Sequence, residues 1–381
     1  MARHAGLSTR AIHVGQGPDP ATGAVVQPIH LATTYQQREV GLHQGFEYSR
    51  SDNPTRRALE ECLASLEESR HCLTFASGLA ATATLMLLLD AGDHVVVTDD
   101  VYGGTARLFN RVLSRYGMRF DAADLRDPEA VVEAMTPTTR MVWLESPTNP
   151  LLRLVDIAAV SEMAHERGAL VAVDNTFATP VLQSPLALGA DVVVHSSTKY
   201  LGGHSDVVGG AIMLNNDSLA ERLRFHQNAV GAVPSPFDCW LLLRGVKTLA
   251  LRVRQQSDNA LAVAQFLEAH PRVRAVHHPG LDSHAQRALA SRQMRGGGGM
   301  VSFEVESEEA ALRVLARLRV FILAESLGAV ESLAEHPGRM THASLPADVR
   351  QSVGISDALI RLSVGIEDEA DLIADLAEAL E

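Results

Sequence analysis

The stretch DVVVHSSTKYLGGH, residues 191–204, decides how this chain reads. Asp191–His195 is a short apolar run of the buried-strand type, and it stops at hydroxyls and a lysine. A phosphate needs hydroxyl and backbone donors, and a carbonyl cofactor needs an amine whose pKa can be depressed. Ser196, Thr198 and Lys199 supply both within four residues. A lysine after a strand is more often a plain surface cation, so the motif needs company from the rest of the chain.

Outward from this point the same rhythm repeats. Apolar runs at 94–98, 141–144, 170–173 and 211–214, with a short one at 72–75, alternate with helical stretches near 79–89, 104–116, 127–135 and 155–167. Strand and helix alternating in this way predict an α/β domain with a large, mostly parallel sheet, whose ligands sit at the carboxyl ends of strands. Residues 54–68 have apolar positions at Leu59, Cys62, Leu63 and Leu66, with Asn53 as cap and Pro54 in the first turn, which predicts a helix. After about 246 the pattern becomes a long helix (248–269), strands at 273–277 and 300–305, and helices at 308–317 and 368–380. These predict a smaller C-terminal α/β domain. The expected organisation is an irregular arm (1–53) lying on a neighbouring subunit, a cofactor domain (54–245) and the smaller domain (246–381).

Other strand ends carry matching signals. Asp174 follows three apolar residues, where an acid is poorly solvated; a pyridine ring acting as an electron sink needs such an anion at its nitrogen. Ser77, Gly78 and Leu79 follow one strand and open a helix, whose first N–H groups suit a phosphate. Tyr102 beside Gly103 and Gly104 can lie flat over a ring. Each signal alone has a bland reading: a cap, a turn, a core tyrosine. Together they converge on one cofactor. No G-x-G-x-x-G or G-x-x-x-x-G-K-[ST] occurs, which removes the main support for a dinucleotide or P-loop site.

Composition narrows the partners. Lys plus Arg is 33 against 46 Asp plus Glu, and the net charge of -13 opposes nucleic acid or an anionic membrane as partner. Cys62, Cys72 and Cys239 form no C-x-x-C pair and are expected to be reduced thiols. The start, MARHAGL, lacks an apolar core of signal-peptide length, so a cytoplasmic protein with a small-molecule substrate is expected. No metal is expected: His277 and His278 are adjacent on a strand and point to opposite faces.

The motifs now on the page resemble the Cys/Met-metabolism pyridoxal-phosphate (PLP) enzymes of the aspartate-aminotransferase-like (type I) PLP-dependent transferase fold, in the cystathionine γ-lyase and γ-synthase branch. The resemblance spans nearly the whole chain, through Tyr48 with Arg50, NPTR (53–56), SGL (77–79), YGGT (102–105), ESPTNP (145–150), DNTF (174–177), SSTKY (196–200), GHSD (203–206), ESLG (325–328) and RLSVGI (361–366). It implies that Lys199 carries PLP as a Schiff base and shuttles protons, with Tyr102 stacking on the ring and assisting the leaving group. Asp174 would pair with the pyridine nitrogen, with Thr176 beside it. Ser77, Gly78, Leu79, Ser196 and Thr198 would hold the phosphate, joined by Tyr48 and Arg50 from the neighbouring subunit of a homotetramer of two active dimers. Arg361 would grip the amino-acid substrate's α-carboxylate, helped by Asn149 and Ser326, with Glu145 also in the substrate site. Arg107, Glu325 and Thr341 would line its far end.

Two departures refine the resemblance. Gly104 stands where methionine γ-lyases carry cysteine, and Glu325 stands where cystathionine β-lyases carry tyrosine. Residues 76–82, 231–239 and 354–360 look more like the lyases, while 145–153 and 241–244 look equally like bacterial synthases. The expectation carried forward is cleavage of L-cystathionine at its γ-carbon, with γ-replacement on an O-acyl-homoserine as the alternative.

Overall fold

In a computed structural model the protein is described at residues 5–343 and 347–381, so the first four residues of the expected arm lie outside the described residues. The chain divides into two compact units, Met1–Leu89 with Asp191–Ala250, and Asp90–Ala190 with Leu251–Glu381.

The first unit holds the strands His71–Phe75, Gly210–Leu214 and Val192–His195. The middle one pairs antiparallel with both neighbours, Phe75 facing Gly210 and His195 facing Ala211. Val192–His195 and Gly210–Leu214 are buried at every residue, which is why both read as unbroken apolar runs. The helix Pro54–Leu66 starts as its sequence predicts: the Asn53 side chain accepts from the amides of Thr55 and Arg56, a cap worth about 1 kcal/mol. Its buried face is Leu59, Cys62, Leu63 and Leu66. The helix Pro236–Val246 presses directly on the turn that follows Lys199; a Cβ at Gly245 would sit 2.2 Å from the Gly202 carbonyl oxygen. Only glycine permits that approach.

In the second unit the strands Leu170–Asp174, Thr139–Glu145, His94–Thr98 and Arg119–Ala123 lie side by side in that order, all parallel. Helices Gly103–Arg111, Pro128–Ala134 and Ile157–His165 alternate with them along the chain, and Val96, Val142, Leu144, Val160, Val171 and Val173 form part of the core. A second sheet runs Ala275–His277, Met300–Glu304, Leu359–Ser363, Leu333–Glu335, Ile322–Leu323. It packs with helices Leu249–Ala269, Glu308–Arg317 and Glu369–Leu380 around Phe303, Ile360, Leu362 and Leu376. Truncating a buried aromatic such as Phe303 to alanine costs about 3–5 kcal/mol. The α/β class is as expected from the alternating pattern.

Several local expectations change. The first fifty residues are not wholly irregular: Leu7–His13 is helical, and Gln37–Glu39 pairs with Leu42–His43. The helix expected over 104–116 ends at Arg111, and a 3-10 turn, Leu113–Tyr116, follows and stops at Gly117 with φ +88. Among the described residues no helix is long and apolar enough to cross a membrane.

Candidate functional site

The expected site residues fall into two sets, one in each unit. In the first unit, Lys199 lies half-buried in a turn held by its own backbone. Its amide donates to the Ser196 carbonyl at 3.2 Å, and its carbonyl accepts from Gly203 at 2.8 Å. Thr198 is clipped to Gly209 in both directions: its hydroxyl donates to the carbonyl at 3.2 Å, and the Gly209 amide donates to that hydroxyl at 3.0 Å. Just before the turn, the buried His195 ring meets Glu67 at 2.5 Å, so charged or strongly dipolar groups pin the strand end.

The turn Ser77–Leu79 comes against Ser196. A Cβ on Gly78 would stand 2.9 Å from that of Ser196, so a side chain there would fill the space between them. Ser77 caps the helix Gly78–Met86 by accepting from Ala80 at 3.0 Å. The first-turn amides of Gly78 and Leu79 have no acceptor within their helix, the usual state of an N-terminus and one suited to an anion. Hydroxyls, helix amides and a cradle emptied by glycine fit a phosphate beside an amine. Tyr48 and Arg50 sit together in the arm, the Arg50 guanidinium 5.6 Å from the tyrosine ring centre and donating to the Asn228 carbonyl at 3.0 Å.

The second unit gathers the acids and arginines. Glu145 and Asp174 end neighbouring parallel strands and face each other in register. Asp174 accepts from the Thr176 amide at 3.0 Å, and the buried Glu145 carboxylate accepts from the Tyr102 amide at 3.1 Å. Burial pushes the Glu145 carboxyl well up, and the nearby charge of Asp174 adds to the effect. The Tyr102 ring lies against Gly104; a Cβ there would be 2.4 Å from the ring. Its phenol is raised, first by burial; Arg107 opposes the rise, while Glu325 and Glu145 add to it and Arg361 opposes it. Tyr102 therefore has Arg107, Glu325, Glu145 and Arg361 within electrostatic reach.

Arg361, on Leu359–Ser363, is 2% exposed. Its Nη1 donates to Asn149 Oδ1 at 2.8 Å and pairs with Glu335 Oε1 at 3.0 Å, and its Nη2 donates to the Ser326 carbonyl at 2.9 Å. Ser326 reaches that position at φ +94, a left-handed conformation uncommon outside glycine. Asn149 lies in a loop with cis bonds at Ser146-Pro147 and Asn149-Pro150. The loop is held by Thr148, which donates to buried Asp100 at 2.6 Å; burial pushes the Asp100 carboxyl up to about 7. Thr341 lies beside this cluster, its hydroxyl donating to Glu335 at 2.7 Å. His342 is pushed down to about 4 by burial and then by Arg361, and stays neutral.

Glu335 is the residue that sequence reasoning missed. Its signal was the one used for Asp174, an acid closing a short apolar run, here Leu333 and Ala334. Breaking a buried pair such as Arg361–Glu335 by removing one partner costs about 3–5 kcal/mol. The structure brings Asn149, through its side chain, and Ser326, through its backbone carbonyl, to Arg361.

Fold and strand-end chemistry together define an α/β enzyme suited to a phosphorylated pyridine cofactor. The chain belongs to the Cys/Met-metabolism PLP-dependent enzymes, whose family model matches residues 8–381. It is 54% identical over 377 residues to a cystathionine β-lyase of Coxiella burnetii, covering 98% of this chain and 97% of that one. It is 55% identical over 383 residues to a cystathionine γ-synthase of Mycobacterium bovis, covering 99% and 98%. A solved cystathionine γ-lyase of Lactobacillus plantarum, complexed with L-serine, matches with a TM-score of 0.95 at 46% identity, covering 98% of each chain. The cofactor is PLP, and the chemistry is that of the cystathionine lyases and synthases. The names of these relatives divide among three reactions.

Proposed function

We propose that the chain is a cystathionine γ-lyase, converting L-cystathionine and water to L-cysteine, 2-oxobutanoate and ammonia. The observation that carries this reading is the group around Tyr102. Cystathionine has two amino-acid ends and needs two charge-matched sites. Arg361 supplies one for the α-carboxylate as a guanidinium fork. Arg107 and Glu325, both within electrostatic reach of Tyr102, supply a cation and an anion for the far carboxylate and ammonium.

The roles follow from chemistry. Lys199 would hold PLP, with Asp174 at its ring nitrogen and Ser77, Gly78, Leu79, Ser196 and Thr198 at its phosphate, and the bound cofactor would supply an electron sink. The Lys199 amine would serve as the base that takes the substrate's α-proton and then a β-proton. Tyr102, whose raised pKa keeps it protonated at neutral pH, donates to the departing sulfur. Thr176 steadies Asp174 through its amide. In a homotetramer of two active dimers, Tyr48 and Arg50 would serve the neighbouring subunit's phosphate.

A γ-synthase would use the same two ends, because cystathionine is then the product, and the mycobacterial relative favours keeping this second reading. Product analysis decides. The purified, PLP-loaded protein is given L-cystathionine alone, then O-succinyl- or O-acetyl-homoserine with cysteine. Efficient release of cysteine and 2-oxobutanoate is expected. Efficient cystathionine formation with slow breakdown makes it a synthase, and homocysteine with pyruvate contradicts the assignment of Glu325.

A further inference from the structure

We infer that Glu335 is a positioning residue that fixes the Arg361 guanidinium so that two adjacent donors face the substrate carboxylate. The inference rests on the proposed role of Arg361 and deepens it.

An arginine has five N–H donors. Nη1 donates to Asn149 Oδ1 at 2.8 Å and is ion-paired with Glu335 Oε1 at 3.0 Å. One hydrogen of Nη2 goes to the Ser326 carbonyl at 2.9 Å. Nε is buried and has no hydrogen-bond partner among the described residues. What remains is Nε–H and one Nη2–H, two neighbouring donors suited to a single carboxylate. Leaving a buried donor unmade is costly unless a ligand completes it.

Glu335 is built to hold this arrangement. It is 1% exposed, and it lies directly across from Arg361 in the antiparallel register of Leu333–Glu335 with Leu359–Ser363. Cross-strand neighbours on one face stay within reach of each other whatever the rest of the site does. The Thr341 hydroxyl donates to the same oxygen, Oε1, that meets Arg361, which fixes the carboxylate in turn. Asn149 and Ser326 offer neutral oxygens only. Glu335 therefore supplies both the countercharge and the direction.

The test uses the PLP-loaded enzyme and four variants: Glu335→Ala, Glu335→Gln, Arg361→Ala and the double Glu335→Ala/Arg361→Ala. Steady-state kinetics on L-cystathionine are paired with calorimetric affinity for L-2-aminobutyrate and for its amide, which lacks the carboxylate. Glu335→Ala should raise KM and weaken aminobutyrate by about tenfold or more, a difference of about 1.4 kcal/mol, while leaving the amide unchanged. Glu335→Gln keeps the acceptor oxygen but not the countercharge and should restore part of the loss. In the Arg361→Ala background the second substitution should add nothing. If Glu335→Ala does not fold, Glu335→Asp carries the test, since its carboxylate is retracted by one methylene and should weaken aminobutyrate selectively. The inference is overturned if the Glu335 variants lower thermal stability but leave carboxylate affinity intact, if the amide weakens equally, or if the double variant is additive. If Arg361→Ala itself leaves carboxylate binding unchanged, the reading of Arg361 fails instead.

Discussion

The two units hold their candidate residues in place by different means. Around Lys199 the work is done by backbone: amide-to-carbonyl bonds within 196–203, the Thr198–Gly209 clip, and glycines at 78 and 245 that let segments touch. Around Arg361 it is done by buried side chains, in which a guanidinium, a carboxylate, an amide and a hydroxyl hold one another in place. A backbone-built turn tolerates little added volume and is written in consecutive residues. A side-chain network tolerates shape changes but not lost charges, and its members come from distant parts of the chain; Arg361 and Asn149 are 212 residues apart.

Substitutions can break this contrast in order of effect. Lys199→Ala should reduce turnover by at least about 10³-fold, the upper part of what a positioned base contributes, and should abolish the visible absorbance of bound cofactor. Near-normal turnover in that variant contradicts the scheme. Gly245→Ala drives a methyl into the Gly202 carbonyl and should cost about 1–3 kcal/mol, read as a lower urea midpoint together with weaker cofactor retention. An unchanged midpoint would mean that the Lys199 turn is not held by this contact. Gly104→Ala, in the other unit, meets a side chain, the Tyr102 ring, rather than backbone. It should leave stability nearly intact, displace the Tyr102 ring and lower kcat by about tenfold, less than the full loss of a catalytic acid.

The smallest effect is a pH dependence. The Asp100 carboxyl is raised to about 7 by burial, so the folded state favours its protonated form. That contribution is present below the unfolded pKa near 4 and is lost as pH rises through about 7. Asp100→Asn mimics the protonated acid and still accepts from Thr148. Urea unfolding should show the variant gaining on the parent between about pH 4 and 7, then holding level. A difference that does not change with pH would place the carboxyl in a solvated setting.

The same contrast explains what could be read from sequence. The strand His94–Thr98 and the helix Glu308–Arg317 stand where their periodicity put them, because each has a plain apolar pattern. The SSTKY and SGL turns were legible because their chemistry is contiguous. The strand Arg119–Ala123 gave no such pattern: it carries Arg119 and Asp121 at the edge of its sheet and is largely exposed. Helix Asp217–Val230 buries only Leu219, Ala220, Leu223 and Gln227, too sparse a stripe to stand out. Arg361 was found through family resemblance, and Glu335 escaped notice because its meaning lies in a cross-strand partner rather than in its own neighbours.

The most direct test of the central claim uses a peculiarity of composition. Lys199 and Lys247 are the only lysines in the chain. Lys247 follows the helix Pro236–Val246 as its C-cap. Borohydride reduction of the PLP-loaded protein, followed by peptide mass mapping, therefore has two possible lysine addresses. The account predicts the reduced cofactor on the peptide containing Lys199. Label on Lys247, or on neither lysine, would contradict it.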